Sequence, residues 1–309
     1  MRITVLGAGA MGCLIGGFLA RAGADVVLVD PWLEHVEALG REGLRLWEGE
    51  EPLRIPVRAA VAGTPVRPAD LVLLLVKAPR TGSALPELPP LLAEGGAVLT
   101  LQNGLGAADL LAEALGEERV LVGVTAQGAT LLGPGEIRHG GAGETLVGGY
   151  RGGHPALASA VRALDGAGLP TRAVEDIWPK VWGKLVVNCG INALTALAGL
   201  KNGDISRIPA AADVLRDAVR EATAVARAAG VELGDADALA ERVLAVAEAT
   251  AANRSSMGQD VDRRSPTEID FINGAVVREG LRLGVETPVN RTLTRLVQAL
   301  ETAYRGAPA

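Results

Sequence analysis

Aromatic side chains are scarce: two phenylalanines, two tyrosines and four tryptophans make up 3% of the 309 residues. The apolar mass is instead alanine, leucine, valine and glycine. Cysteine is scarcer still. Cys13 and Cys189 are the two present, both in apolar surroundings and without metal-ligand spacing. That excludes a disulfide framework and a structural zinc site, and it points to a reducing compartment. No block of lysine or arginine stands out, and 36 acids against 30 bases leave a net charge of −6. Binding driven by neutralising nucleic-acid phosphates is therefore not expected. A low-complexity linker and an internal repeat are also missing. What is present is 49% hydrophobic and 21% charged residues, the balance of a folded chain able to bury large cores. The length suits two domains of roughly 150 residues each.

One stretch imitates a membrane signal. Residues 3–20 carry no charge and lie between Arg2 and Arg21, as in a signal peptide or short span. The run nevertheless holds Gly7, Gly9, Gly12, Gly16 and Gly17, each costly in an uninterrupted helix. It also changes from the β-type Ile3-Thr4-Val5-Leu6 to helical spacing after Gly12. A strand, a glycine turn and a helix explain it better. No other stretch reads as a span, and a cytoplasmic protein with no membrane partner is expected.

Strand-like runs fall at residues 2–6, 25–29, 71–76, 97–101 and 120–125, with helical stretches such as 32–40 and 107–115 between them. That rhythm predicts an α/β domain: a Rossmann-type, mostly parallel sheet with helices on both faces. The unbroken apolar run 71–76 suits a central strand buried on both sides. Residues 43–47, 53–60, 136–139 and 145–149 read as added antiparallel strands or hairpins, and the prolines of 86–90 argue against a helix before 97. After about Thr171 the character changes. Segments 180–200, 210–229, 236–253, 267–283 and 289–304 carry helical periodicity, with Gly230, Gly284 and Pro288 as stops. The expected organisation is a dinucleotide-binding domain over 1–170 and an all-helical, substrate-binding domain over 171–309. A cleft between two such domains is a natural place for a small-molecule site.

Gly7-Ala8-Gly9-Ala10-Met11-Gly12 follows the first strand and opens a helix. This is the context that the Gly-x-Gly-x-x-Gly dinucleotide pattern requires. The first glycine permits the tight turn and the second lets a pyrophosphate approach the backbone. The third allows close helix–strand packing, with the helix amides facing the phosphates. Asp30 closes the next strand, 18 residues beyond Gly12, near the spacing at which an acid hydrogen-bonds an adenosine ribose. A plain helix cap ahead of Pro31 is the structural alternative for Asp30.

The most informative segment is 182–195. Between Leu185 and Leu200 there is no charge, so this helix is expected to be buried, yet Lys184, Asn188 and Asn192 recur every fourth residue. At about 100° per residue, each step of four drifts about 40°, so the three share one face. Burying a lysine and two amides is unfavourable unless partners satisfy them. The stripe must meet other protein groups, water or a ligand. A partly buried lysine also has its pKa lowered, which suits a proton donor near neutral pH. The plainer reading is a satisfied core network.

With these residues in hand, the chain resembles the ketopantoate reductase family nearly end to end. The motifs are the N-terminal glycine pattern, Val76-Lys77-Ala78, Gln102-Asn103-Gly104-Leu105-Gly106 and Trp182-Gly183-Lys184-Leu185 with its two asparagines. They continue with Asn202-Gly203, Asn253-Arg254-Ser255-Ser256-Met257 and Thr267-Glu268-Ile269-Asp270-Phe271-Ile272-Asn273-Gly274. In this order they are highly specific. The resemblance implies NADPH-dependent reduction of 2-dehydropantoate to pantoate, in pantothenate synthesis, by a Rossmann domain followed by a helical domain that closes over the substrate. It puts the proton donor at Lys184 and a catalytic, cofactor-contacting carboxylate at Glu268. Asn103 falls near nicotinamide and substrate, while Asn188, Asn192, Asn202 and Ser256 fall at substrate-binding positions. Lys77 and Ala129 match cofactor-contacting ones, Ala129 by counting from Gly123. The partner expected is a small 2-oxo acid, and a homodimer is compatible with the pattern.

The chain departs from the family at one place. NADPH users commonly carry a base just after the second strand, and this sequence reads Val29-Asp30-Pro31-Trp32. An acid there favours a free 2′-hydroxyl, so family precedent says NADP while local chemistry says NAD. Structural alternatives stand beside the implied roles: a turn at Asn103-Gly104, a solvated Lys77 and a helix end at Ser256. Ser265-Pro266-Thr267-Glu268 also has the form of a capping box. Rival functions are a β-hydroxyacid dehydrogenase, a related reductase of another 2-oxo acid, and a non-catalytic dinucleotide sensor.

Overall fold

The structure, a computed structural model, describes residues 1–306. The chain divides into two compact units. One comprises Met1–Gln102 and Ala107–Ile177; the other takes Asn103–Gly106 and everything from Trp178 onward.

The first unit is built on an eight-stranded sheet. Its strands are β1 (Arg2–Leu6), β2 (Asp25–Asp30), β5 (Arg58–Val61), β6 (Ala69–Leu74), β7 (Leu92–Thr100), β8 (Val120–Thr125), β11 (Thr145–Gly149) and β12 (Thr171–Ala173). Their spatial order is β12-β11-β8-β7-β6-β1-β2-β5. All neighbours are parallel except β8 and β11. β1 lies between β2 and β6, with Leu6 opposite both Val29 and Leu74, so the chain order reverses beside β1, where open α/β sheets bind their ligands. Residues 71–74 are buried throughout, as their unbroken apolar run predicts. The core joins Ile3 and Val5 to Leu14, Phe18 and Leu19 of the helix Ala10–Arg21, and to Leu28, Leu71 and Leu99.

A smaller sheet, β4 (Pro52–Ile55), β3 (Leu44–Trp47), β10 (Glu136–Gly141) and β9 (Gly128–Gly133), belongs to the same unit. Here the structure corrects the sequence reading. The stretch 53–60, expected as an added antiparallel strand or hairpin, breaks at Pro56: β4 pairs antiparallel with β3, while β5 joins the main sheet parallel to β2. Proline has no N–H to give a ladder, so the chain changes sheet there. Before β7 the prolines leave only short helical pieces between residues 78 and 91. The three-residue strand β12, unforeseen because so short a run has no readable period, lengthens the sheet beyond residue 170.

In the second unit the described residues from 178 onward are helical, as expected. The helices are Trp178–Ala198, Pro209–Ala228, Ala236–Ala249, Ser256–Asp262, Asn273–Leu283 and Pro288–Arg305, with two short turns. Among the described residues, Trp178–Ala198 is the one helix long and apolar enough to cross a membrane by length and composition, and 61% of its apolar window is buried inside the protein. Its Leu185, Val186, Cys189 and Ile191 pack with Leu215, Val219 and Val243. Polar ties lock the bundle. Asn273 donates to the Cys189 carbonyl at 3.1 Å and to Asn290 at 2.9 Å. The Glu221 carboxylate accepts the Val289 and Asn290 amides at 2.8 and 2.9 Å, satisfying the start of the last helix. The expected helix 267–283 begins only at Asn273, after a short turn over Ile269–Phe271, and the helix Ser256–Asp262 was not foreseen.

Candidate active site

The glycine turn sits where β1 gives way to the helix Ala10–Arg21. Gly7 has φ +97°, and a Cβ there would lie 2.5 Å from the Val76 nitrogen; a Cβ on Gly12 would meet the Gly7 carbonyl at 2.0 Å. Both positions therefore demand glycine. A Cβ on Gly9 would meet no atom of the described residues within 4 Å. Gly9 is also the N-cap and brings no capping side chain, so the first helix amides remain available for an anion. This open approach fits a dinucleotide pyrophosphate. Asp30 ends β2, and its Oδ1 accepts the Trp32 amide at 3.0 Å. The helix-cap alternative does not hold, because the helix Leu33–Glu42 starts from Trp32 with no side-chain cap; Oδ1 closes a local turn instead, while Oδ2 has no hydrogen bond among the described residues. Lys77 is exposed beyond the end of β6. Ala129 lies on β9 opposite His139, packed against the first unit's core.

Gln102, which the sequence reading did not weigh as a site residue, ties the ends of β6 and β7 together. Its Nε2 donates to the Val76 carbonyl at 2.7 Å and to Thr81 at 2.9 Å, and its Oε1 accepts from Thr100. The next four residues leave the sheet unit. Leu105 N–H donates to the Phe271 carbonyl at 2.9 Å. Gly104, at φ +87°, comes so close that a Cβ would lie 1.9 Å from that oxygen. The dipeptide is a turn, and more than a turn: it delivers Asn103 to the helical unit.

There Asn103 Nδ2 donates to Glu268 Oε2 at 3.0 Å. The capping-box alternative for Glu268 is absent, because no helix starts at Pro266. Ser265 donates its amide to the Asp260 carbonyl instead, and Thr267 caps the turn that follows by accepting the Ile269 amide. Glu268 is left with its carboxylate toward Asn103 and in the field of Lys184. Protein packed around the Lys184 ammonium pushes its pKa down to about 8, and the Glu268 charge pulls it the other way.

Asn188 and Asn192 follow Lys184 along the same helix face. Asn192 is 5% exposed, and neither amide has a side-chain hydrogen bond among the described residues. Thr195, one turn on, is satisfied, donating to the Ile191 carbonyl and to Ser255 Oγ at 2.8 and 2.7 Å. The stripe is therefore not a closed core network. Asn202 is held in the loop beyond, its Nδ2 donating to Thr250 at 2.9 Å, while its buried Oδ1 has no partner among the described residues. Ser256 opens its helix as an exposed residue, and its neighbour Ser255 is the cap, accepting the Gly258 amide at 3.0 Å. Arg254 closes the region: Nη1 donates to the Thr195 and Leu200 carbonyls at 2.5 and 2.7 Å, and Asp262 holds the guanidinium. Only the tertiary fold reveals this clamp.

One unit with a mostly parallel sheet and a dinucleotide turn, and another, helical, with a lowered-pKa lysine and asparagine amides unpaired among the described residues, define a nicotinamide-dinucleotide-dependent oxidoreductase. The family model described as ketopantoate reductase PanE/ApbA matches residues 3–152, and its C-terminal counterpart matches residues 176–301. The chain belongs to the ketopantoate reductase family. It is 41% identical over 301 residues to a 2-dehydropantoate 2-reductase of Halobacterium salinarum, covering 96% of this chain and 98% of that one. A relative of the same name from Archaeoglobus fulgidus is 38% identical over 302 residues, covering 97% and 98%. Among solved structures, a PanE/ApbA family ketopantoate reductase from Ralstonia eutropha aligns at a TM-score of 0.91 and 37% identity, covering 99% and 100%. D-mandelate dehydrogenase, solved with NADH and anilino(oxo)acetate, aligns at 0.91 and 28% identity, covering 99% of each chain.

Proposed function

We propose that the protein reduces the ketone of 2-dehydropantoate to pantoate at the expense of a nicotinamide dinucleotide, in the cytoplasm. The observation that carries this reading is the polar face of an otherwise apolar helix. Lys184 has its pKa lowered to about 8, and the Asn188 and Asn192 side-chain amides after it have no hydrogen-bond partner among the described residues. Such groups are retained where a polar ligand satisfies them.

The bound dinucleotide supplies the hydride. Lys184 holds the proton that the ketone oxygen takes up as its charge develops, and an ammonium with pKa about 8 releases it readily at neutral pH. Glu268, bonded to Asn103, keeps the ammonium charged and oriented. Asn188, Asn192, Asn202 and Ser256 take the substrate's carboxylate and hydroxyl. Fixed donors of this kind act by orientation and by stabilising developing charge. Gly7 to Gly12, Asp30, Lys77 and Ala129 serve the cofactor, and Asp30 favours NAD over NADP.

A screen of 2-oxo acids against NADH and NADPH tests the reading. The highest kcat/KM is expected with 2-dehydropantoate. A preference of more than tenfold for another 2-oxo acid would move the assignment to a related reductase. No oxidation with any of them would leave a dinucleotide-binding sensor.

A further inference from the structure

His35 lies on the helix Leu33–Glu42 and is 1% exposed. It touches three separate segments of the sheet unit: the glycine turn, the helix after it, where Cys13 Sγ lies 3.4 Å from Nε2, and the turn joining β9 and β10. Its Nε2 is 2.8 Å from the carbonyl oxygen of Ala8, in the middle of the glycine turn. Its Nδ1 accepts the Gly135 amide at 3.0 Å, at the turn joining β9 and β10. Its ring stacks on Trp32, with centroids 5.2 Å apart and planes 11° apart.

These contacts assign the tautomer. Gly135 offers an N–H, so Nδ1 must present its lone pair, and the ring proton is on Nε2, donating to Ala8. Burial lowers the His35 pKa below the ordinary histidine value, against smaller opposing pulls from the Ala8 carbonyl and then Asp30, so the ring is neutral near pH 7. Cys13 Sγ donates to the same Ala8 carbonyl at 3.0 Å. Two donors thus fix one peptide plane. Because the peptide is trans, its C=O and the following N–H point in opposite directions, and holding the Ala8 oxygen toward His35 turns the Gly9 N–H away from it. In a turn that receives a pyrophosphate, a loose carbonyl would present partial negative charge to the phosphates, whereas a tethered one leaves the amide edge for them.

We infer that His35 is a positioning residue of the dinucleotide turn, a neutral Nε2–H donor that holds the Ala8 carbonyl back and presents the Gly9 amide to the cofactor pyrophosphate. The inference rests on the dinucleotide-binding reading but not on the identity of the 2-oxo acid. His35 itself touches no reacting atom. Its loss therefore weakens dinucleotide binding and spares the chemical step once the cofactor is bound.

Two conservative variants separate this role from simple packing. In His35→Asn the side-chain oxygen can still accept the Gly135 amide, but the shorter side chain does not reach Ala8. In His35→Gln the amide nitrogen can reach Ala8. Titration of each protein with NADH and NADPH alone, followed by steady-state kinetics, is expected to show H35N binding dinucleotide at least tenfold more weakly. Its kcat at saturating cofactor and its KM for the oxo acid should stay within twofold of wild type, and H35Q should bind within threefold. Equal dinucleotide affinity in H35N and wild type overturns the inference, as do equal losses in both variants. Long-range ¹⁵N–¹H correlation on histidine-labelled wild-type protein supplies a test that needs no variant: a proton on Nδ1 of His35 overturns the inference as well. Wild-type protein that binds neither dinucleotide would instead overturn the cofactor reading on which it rests.

Discussion

The Asn103 amide and the Glu268 carboxylate meet at 3.0 Å although 165 positions separate them in sequence. The first rides on a four-residue excursion into the helical unit, and the second is the N-cap residue of a one-turn helix. Their bond joins a connecting segment to the residue whose charge opposes deprotonation of Lys184.

Glu268→Gln is expected to lower kcat/KM clearly while leaving the melting temperature unchanged, because no capping box forms there for the carboxylate to support. The carboxylate raises the Lys184 pKa against the effect of burial, so its removal should also move the alkaline limb of the pH–rate profile to lower pH. A variant with wild-type kinetics would remove Glu268 from the site.

Reduction requires a protonated Lys184. With the pKa at about 8, kcat/KM for reduction should fall as pH rises through about 8, and the reverse oxidation, which needs the neutral amine, should rise over the same range. Lys184→Ala should lower kcat by roughly 10²–10⁴, the usual range for a general acid, with dinucleotide affinity little changed. Near-normal turnover in the alanine variant would refute the assignment.

Asn192 is buried at 5% exposure without a protein hydrogen bond among the described residues. Asn192→Leu should therefore change stability by less than about 1 kcal/mol, since no protein hydrogen bond is lost. It should also raise KM for the oxo acid at least tenfold. Thermal melting and kinetics read the two effects separately, and a lower melting temperature with unchanged KM would make the amide structural.

NADH should be used at least as well as NADPH, because the Asp30 carboxylate repels a 2′-phosphate. Asp30→Ala should improve NADPH relative to NADH by about tenfold, the ratio that about 1.4 kcal/mol of relieved repulsion represents. A hundredfold preference of the wild type for NADPH would show that a base elsewhere outweighs Asp30.

Gly104→Ala should destabilise the protein by about 2 kcal/mol or more. The added Cβ meets the Phe271 carbonyl at 1.9 Å in a backbone with φ +87°, which an L side chain rarely adopts. The same change should displace Asn103 and lower kcat/KM beyond what partial unfolding accounts for. Unaltered melting would contradict the close approach.

What the sequence by itself determined are the features set by neighbours along the chain. β1, the glycine turn and the helix after it are readable because side-chain period changes from two to 3.6 across Gly7 to Gly12. Lys184, Asn188 and Asn192 share a face for the same local reason, whatever the helix packs against. Other features depended on distant partners, and only the tertiary structure decided them. Pro56 divides the stretch 53–60 between two sheets because each half finds a different edge. Ser265 has the composition of a cap but caps nothing, since its amide bonds to Asp260 and the following residues turn rather than coil. His35 looks like one polar residue on an amphipathic helix, and becomes a tether only when the glycine turn and the β9–β10 turn fold against its two ring nitrogens. Periodicity is a property of adjacent residues. The environment of a carboxylate or an imidazole is a property of whatever packing brings to it, and no local pattern encodes that.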